Sequence, residues 1–479
     1  MKLRFVSLAL SLLLVSTIVF AQKQPKISPN PFYDVSVKRI DSLGGLPMQS
    51  FVTGRMGDTI LIFGGRNKGL HNFSGTGFPF NTSNKRLFVF IPGNEKVKSQ
   101  VYSAGIPAGT LTTQNQLQLS ATNIQYCQDM ATLYCIGGFG FNGLNAQTND
   151  SSYGTFNGFF AVQVPKLINA IVAGDTLNNR LSNYFTFSTQ PNPSDSTMAV
   201  TGGELVKMGK DFYLVVGQNF QGEYNGAFYQ KYTNKITRLR FTNNAAGLSY
   251  KVLTTLTDPY LNFNRRDLNV VPVIGTGGKQ GIDVYGGVFT PTKNGGPYLN
   301  PIKLRTNSQS APVYSIDTSL VQYFNQYAAA HILLYNKYTD NMFTSLLGGI
   351  SLYSKVQSVN EGKVIHPKDT SMPWTKVIST ISRNAAGTYT EFASDKNSLP
   401  DFIGAEAKFV PYEQFMLTGS EEIIDYNKLI AYAKKNKTST IPIGFMFGGI
   451  ISTTEGGAST NSNPSLYKVS ITLKPQPLK

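Results

Sequence analysis

The sequence predicts an all-β protein, a ring of six four-stranded units, and three observations predict it. Six apolar strands end in a glycine doublet or a near variant: ILIFGG at Gly65, LYCIGG at Gly138, YLVVGQ at Gln218, IDVYGG at Gly287, TSLLGG at Gly349 and GFMFGG at Gly449. The composition, with 45 Gly, 31 Phe and 25 Tyr but only 15% charged residues, suits strands joined by many turns and is opposite to that of a disordered chain. Finally, the last unit lacks a strand, and the N-terminal region holds a spare one.

The elements follow in chain order. Lys2 and Arg4 precede an apolar run over 5–20 that ends Val19-Phe20-Ala21. This is the pattern of a cleaved signal peptide over 1–21, slightly short of the roughly 20 apolar residues that span a bilayer. The expected product is exported: periplasmic, outer-membrane-associated or extracellular, with no transmembrane helix in the mature chain. Residues 32–40 alternate Val35 and Val37 with Asp34, Ser36 and Lys38, the period of a half-buried strand.

The units come next. Their first doublet glycines, at 64, 137, 217, 286, 348 and 448, are spaced by 73, 80, 69, 62 and 100 residues. Glycine suits the strand end because it accepts positive φ and lets one sheet's backbone press on the next; a Cβ in the left-handed region costs roughly 1–2 kcal/mol. Gln218 is read as a side chain tolerated at the second doublet position. Each doublet strand follows another strand and a turn, as at 49–54 and 204–208. It precedes a polar loop, an alternating strand such as 467–473, and usually a fourth run: 99–104, 183–188, 249–256, 312–317 and 388–393. Four strands per unit is the blade of a β-propeller. The units fall at about 46–108, 109–192, 193–260, 261–322, 323–397 and 398–474, in one domain over 22–479. Pairing 32–40 with 466–473 would complete the last blade and cover its edge. Helices are expected at 166–173 and between Glu421 and Lys437, where Ile423, Ile424 and Tyr426 could equally form a strand.

On the repeated apolar strand and doublet, over roughly residues 32–474, the chain resembles kelch-repeat propellers, the group that includes galactose oxidase and the sialic acid mutarotases. The unit is longer than the kelch period of about 50 residues, and Trp374 is the only tryptophan. The stretch from Arg265-Arg266-Asp267 to Gly348-Gly349-Ile350 also resembles secreted bacterial kelch-like proteins of unassigned activity. The resemblance implies that ligands bind at the ring's mouth and in the loops around it.

Catalytic signatures are sparse. His71, His331 and His366 are the only histidines, and HExxH, paired CxxC and GxSxG are missing. Gly275–Lys279 lacks P-loop spacing. Copper chemistry of the galactose oxidase kind needs two histidines and two tyrosines, and only His331 falls on an inner strand, so no metal or cofactor is expected. Asn72-Phe73-Ser74 and Asn81-Thr82-Ser83 match glycosylation sequons. Cys127 and Cys135 fall on neighbouring strands about three residues out of register, which disfavours a bridge and reads as two buried thiols.

Superposing the units on their doublets brings Gln49, Asn123, Glu204, Arg266 with Asp267 and Asn269, His331, and Glu406 to the mouth-facing end of the inner strands. Arg266 could clamp an anion, with Asp267, Asn269, Gln49 and Asn123 as further ligand contacts. Glu204 or Glu406 could act as base with His331 as acid. The same residues could instead tie neighbouring blades together. Aromatics in the loops after the doublets (Phe73, Phe78, Phe80, Phe141, Tyr153, Phe220, Tyr224, Phe228, Tyr229, Tyr232) suit sugar stacking or loop cover alike. A net charge of +16 favours an acidic glycan or an envelope protein as partner, and its scatter disfavours nucleic acid. The expected role is a glycan- or protein-binding scaffold; the alternative is an enzyme acting on acidic sugars, of mutarotase or lyase type.

Overall fold

The computed structural model describes residues 26–475 except 43–45, 72–76, 94–97, 145–150, 176–179, 191–194, 224–227, 292–294, 358–362 and 366–371. The expected signal peptide, His366, Phe73, Tyr224 and the Asn72 sequon lie outside the described residues.

The fold is all-β, made mostly of antiparallel four-stranded sheets. The first sheet holds Val52–Met56, Thr59–Phe63, Arg86–Ile91 and Gln100–Gly105; the second holds Gln125–Asp129, Thr132–Ile136, Phe159–Gln163 and Phe185–Phe187. The third holds Glu204–Met208, Asp211–Val215, Lys235–Asn244 and Gly247–Thr257, and the fourth Arg266–Ile274, Gln280–Val288, Ile302–Thr306 and Pro312–Ile316. The fifth holds Ala330–Asn336, Asn341–Ile350, Trp374–Arg383 and Tyr389–Ser398. In the sixth, Ala407–Pro411, Thr440–Gly448 and Ser465–Leu473 are joined by Tyr33–Ser42. That N-terminal strand pairs antiparallel with Ser465–Leu473, setting Val35 opposite Ile471 and Val37 opposite Val469.

Packing between sheets is consistent along the chain. Separate apolar clusters join the first and second sheets (Val52, Leu61, Leu133, Phe160), the second and third (Ile136, Phe159, Leu205, Leu214) and the third and fourth (Val206, Tyr213, Val270, Val284). Others join the fourth and fifth (Val271, Tyr285, Leu333, Met342), the fifth and sixth (Leu334, Phe343, Val35, Ile471), and the sixth and first (Phe445, Phe447, Ile60, Phe90). Phe159, Phe160, Phe63 and Tyr285 are at most 1% exposed, and burying such a ring contributes roughly 1.5–3 kcal/mol.

The doublets act between sheets. Gly65, Gly138, Gly349 and Gly449 donate their N–H groups to the carbonyls of Ala121, Val200, Ile403 and Met48, each in the segment leading into the sheet that follows, with the first following the sixth. The third doublet corrects the sequence reading. Val216 (φ 49°) and Gly217 (φ 89°) hold the positions that Gly137 (φ 66°) and Gly138 (φ 88°) hold in the second. The tolerated side chain is therefore a valine at the first position, and Gln218 lies beyond the doublet. Burial of Val216 in the third–fourth cluster compensates for its left-handed backbone.

Among the described residues three α-helices interrupt the strands, the short Thr113–Gln118 and the two anticipated from the sequence. Val164–Val172 packs its apolar face on the first and second sheets. The insertion of the sixth sheet carries both predicted forms: Ile423–Asp425 adds as a parallel strand to Ala330–Asn336 of the fifth sheet, and Tyr426–Asn436 is a helix N-capped by Asp425. A larger unit was also unforeseen. Phe139–Leu144, Ser151–Thr155, Gln218–Gln221 and Tyr229–Tyr232, read as loops, form a further four-stranded sheet. The cysteines are both free, and their offset is one residue rather than three, since Cys127 faces Tyr134 while Cys135 faces Tyr126. A one-residue offset sends the thiols to opposite faces, Cys135 into the core and Cys127 partly exposed along the channel described next.

Candidate functional site

A cavity of about 190 Å³ is lined by the inner strands of all six sheets. The chain enters each inner strand through a residue with positive φ: Ser50 (56°), Asn123 (50°), Gly202 (65°), Asp267 (53°), Ala328 (35°) and Glu406 (59°). Backbone hydrogen bonds run between them, from Asn123 N to Ser50 O (3.1 Å), Asp267 N to Gly202 O (3.0 Å), Ala328 N to Asp267 O (3.3 Å) and Glu406 N to Ala328 O (2.8 Å). This collar frames one end of the cavity. Arg55, Gln128, Glu421 and Glu422 also line it, the last two from the insertion.

The collar shows which sequence-derived residues are equivalent. Asn123, Asp267 and Glu406 are collar members, and with Glu204, Asn269 and His331 they line the cavity. Gln49 does not line it. It is 5% exposed and donates to the carbonyls of Lys68 (3.1 Å) and Gly69 (2.8 Å), while the Ser50 hydroxyl donates to its Oε1 (2.6 Å). Arg266 is also outside: its guanidinium lies 3.1 Å from Asp267, donates to Gln218 Oε1 (2.9 Å) and stacks over Phe289. Its planar fork meets protein groups from three segments, so the anion clamp expected of it is replaced by a tie between sheets. Arg265 is fully buried on the carbonyls of Asn262, Gly286 and Asn300, and burial pulls its pKa down to about 9. Asn269 lines the cavity with a committed amide, donating to Gln326 O (2.6 Å) and accepting from Ala329 N (2.7 Å).

The remaining groups form a titratable constellation. Burial above all pushes the Glu406 pKa up to about 7, against the pull of Lys408, with Asp267 and Glu204 adding to the rise. Burial likewise raises Glu204, which Lys408 and His331 oppose and Glu422 reinforces. Lys408, which sequence reasoning missed, stands two residues beyond Glu406, on the strand that Glu406 leads into. Burial works against its ammonium, yet Tyr126, Glu204 and Glu406 outweigh that and push its pKa up. Its Nζ lies 5.3 Å from the Tyr126 ring centre, and the Tyr126 hydroxyl is 3.1 Å from that of Thr53. His331 donates from Nδ1 to Ala329 O (3.3 Å) and turns Nε2 toward Glu422 at 3.7 Å. Asp267 is also raised, by burial, against Arg266. The arrangement sets a fixed cation, an ionisable carboxylic acid, a second carboxyl and an imidazole around one small space, which suits hydrogen bonding to hydroxyls and proton transfer.

The loop aromatics are largely consumed by their own sheet. Phe139, Tyr153 and Phe220 form a buried cluster with Phe78 and Phe141 against it, and Phe80 packs on Phe141. Phe228 and Tyr229 stay exposed. Among the described residues no group of three His, Cys, Asp or Glu is placed to hold a metal, and no helix is long and apolar enough to cross a membrane.

No family model matches the sequence, and no curated protein matches it. Among solved structures 124 chains match. One is the structure of YjhT, at 12% identity and a TM-score of 0.46, covering 90% of this chain and 98% of that one.

Proposed function

We propose that this chain is an exported six-bladed kelch-type propeller, its last blade completed by Tyr33–Ser42, that binds a small hydroxyl-bearing ligand, a sugar, in its central channel. The six inter-sheet clusters and the contact of the sixth doublet with Met48 support the ring. The apolar run at 5–20 supports export. The observation that carries the ligand reading is the joint placement of Glu204, Glu406, His331 and Lys408 on one cavity. Tyr126, Thr53, His331 and a protonated Glu406 both donate and accept, as a hydroxyl ligand requires. At about 190 Å³ the cavity is below the roughly 300–1,000 Å³ of drug-sized pockets, so the ligand is small. With Arg266 withdrawn and carboxyl groups in excess, the lining disfavours the acidic sugars anticipated from net charge.

The test is calorimetric titration of the secreted protein with monosaccharides, against Lys408→Met. Saturable binding by the native protein that the substitution removes supports the reading; no binding by any sugar opposes it. An enzymatic reading draws on the Glu406 carboxyl, with a pKa of about 7, and His331 on the wall of the same cavity, as acid and base. Polarimetry of freshly dissolved sugars with native protein and Glu406→Gln decides between binding and turnover.

A further inference from the structure

The charge around the channel is opposite in sign to that of the whole chain. Five carboxyl groups line the cavity (Glu204, Asp267, Glu406, Glu421 and Glu422) against two permanent cations, Arg55 and Lys408, in a protein of net charge +16. Some of this acid is matched locally. Asp267 has Arg266 at 3.1 Å, and Glu421 feels Arg55. Glu204 and Glu406 share the field of one ammonium, that of Lys408.

Glu204 has no permanent cation to itself. Among the described residues its carboxyl, which lines the cavity, has neither a hydrogen bond nor an ion pair within 4 Å, and the ammonium that acts on it, that of Lys408, is shared with Glu406. A desolvated carboxyl without a partner is costly and is the kind of group a ligand completes. We propose that the channel ligand carries a protonated primary amine, as an amino sugar does, and that its ammonium engages Glu204 while Lys408 serves Glu406. This rests on the channel being the ligand site and names the chemical class it takes.

A linked proton follows from the charge count. In the empty channel two carboxyls face one ammonium, and the excess negative charge is held off by a proton on Glu406, whose pKa lies at about 7. The groups facing Glu406 are Ser50, Glu204, Asp267, Tyr327 and Lys408; those facing Glu204 are Tyr126, His331, Glu406, Lys408 and Glu422. A second ammonium balances the pair, so the Glu406 proton leaves to solvent as the amine docks.

The experiment titrates the full-length protein at pH 6 with glucosamine, galactosamine and mannosamine, their neutral parent hexoses, and glucuronic and galacturonic acids. Each titration is run in two buffers of different ionisation enthalpy, and circular dichroism verifies the fold of every variant. The expected result is that at least one amino sugar binds about tenfold tighter than its neutral parent, the worth of one charge-assisted hydrogen bond, with about one proton released per ligand. Glu204→Gln erases that preference, and Glu406→Gln erases the proton release. If neutral hexoses bind as tightly as the amino sugars, or the uronic acids bind best, the amine inference fails while the channel reading stands. If no sugar of any charge binds, both fail.

Discussion

Gly137 and Gly209 separate what a doublet glycine does for its own backbone from what it does for the neighbouring sheet. Both have φ of 66°, so an alanine at either suffers the same left-handed strain. That strain is about 1–2 kcal/mol, offset by about 0.4–1 kcal/mol from the stiffer unfolded chain. Gly209 has nothing within 4 Å of where a Cβ would stand, so Gly209→Ala costs only about 1 kcal/mol. At Gly137 the Cβ would fall inside the carbonyl oxygen of Val200, in the segment leading into the next sheet. That oxygen accepts the Gly138 N–H at 3.0 Å, so relieving the clash weakens the bond that joins the sheets. Overpacking of about 1–3 kcal/mol and a lost hydrogen bond of about 1 kcal/mol bring Gly137→Ala to about 3–5 kcal/mol. Equilibrium urea unfolding followed by circular dichroism measures both variants, with an unchanged slope showing that only stability moved. A difference below about 1 kcal/mol between them would refute the claim that the doublets bind sheet to sheet.

Three further outcomes are expected. Lys408→Met leaves Glu204 and Glu406 without their shared cation; its stability loss, about 3 kcal/mol at pH 8, should shrink at pH 5, where Glu406 holds its proton, and pH-dependent urea midpoints check this. Arg265→Met removes donors from three buried carbonyls and should destabilise by about 3–5 kcal/mol on the same assay. Glu391 accepts the backbone N–H groups of Tyr323 (2.7 Å) and Phe324 (3.1 Å), and burial pushes its pKa up to about 7. A carboxyl raised in the fold gives its full stability below its ordinary pKa and loses it as pH rises through 7. Glu391→Gln should therefore flatten the fall in stability between pH 5 and 8 by on the order of 2 kcal/mol.

The strands were legible because their alternation is strong and glycine marks their ends. The pairing of Val35 and Val37 with Ile471 and Val469 follows from the same period-2 pattern. The collar was legible only in part. From the collar residue to the first doublet residue the count is 14 in the first three sheets, Ser50 to Gly64, Asn123 to Gly137 and Gly202 to Val216, which would have placed Val216 correctly. Longer hairpins in the fourth and fifth sheets and the insertion in the sixth break that count. Superposing on the doublets alone therefore selected Gln49 and Arg266 beside the true collar residues Ser50 and Asp267. Lys408 escaped because a lysine on an alternating strand ordinarily faces solvent, and only the closure of the six inner strands turns it inward. The loop sheet escaped because its strands pair across two units, Gln221 with Gly154, over a separation local patterning does not carry.

The account rests on the N-terminal strand lying beside the C-terminal one, since that pairing completes the sixth sheet and the wall that bears Glu406 and Lys408. Ser36 and Ser470 stand opposite each other in the register. Replacing both with cysteine and oxidising under mild conditions tests this directly, with the cross-link mapped by mass spectrometry after proteolysis. The account predicts one intrachain disulfide joining the two strands. Free thiols at both positions, or bridges only between molecules, would contradict it.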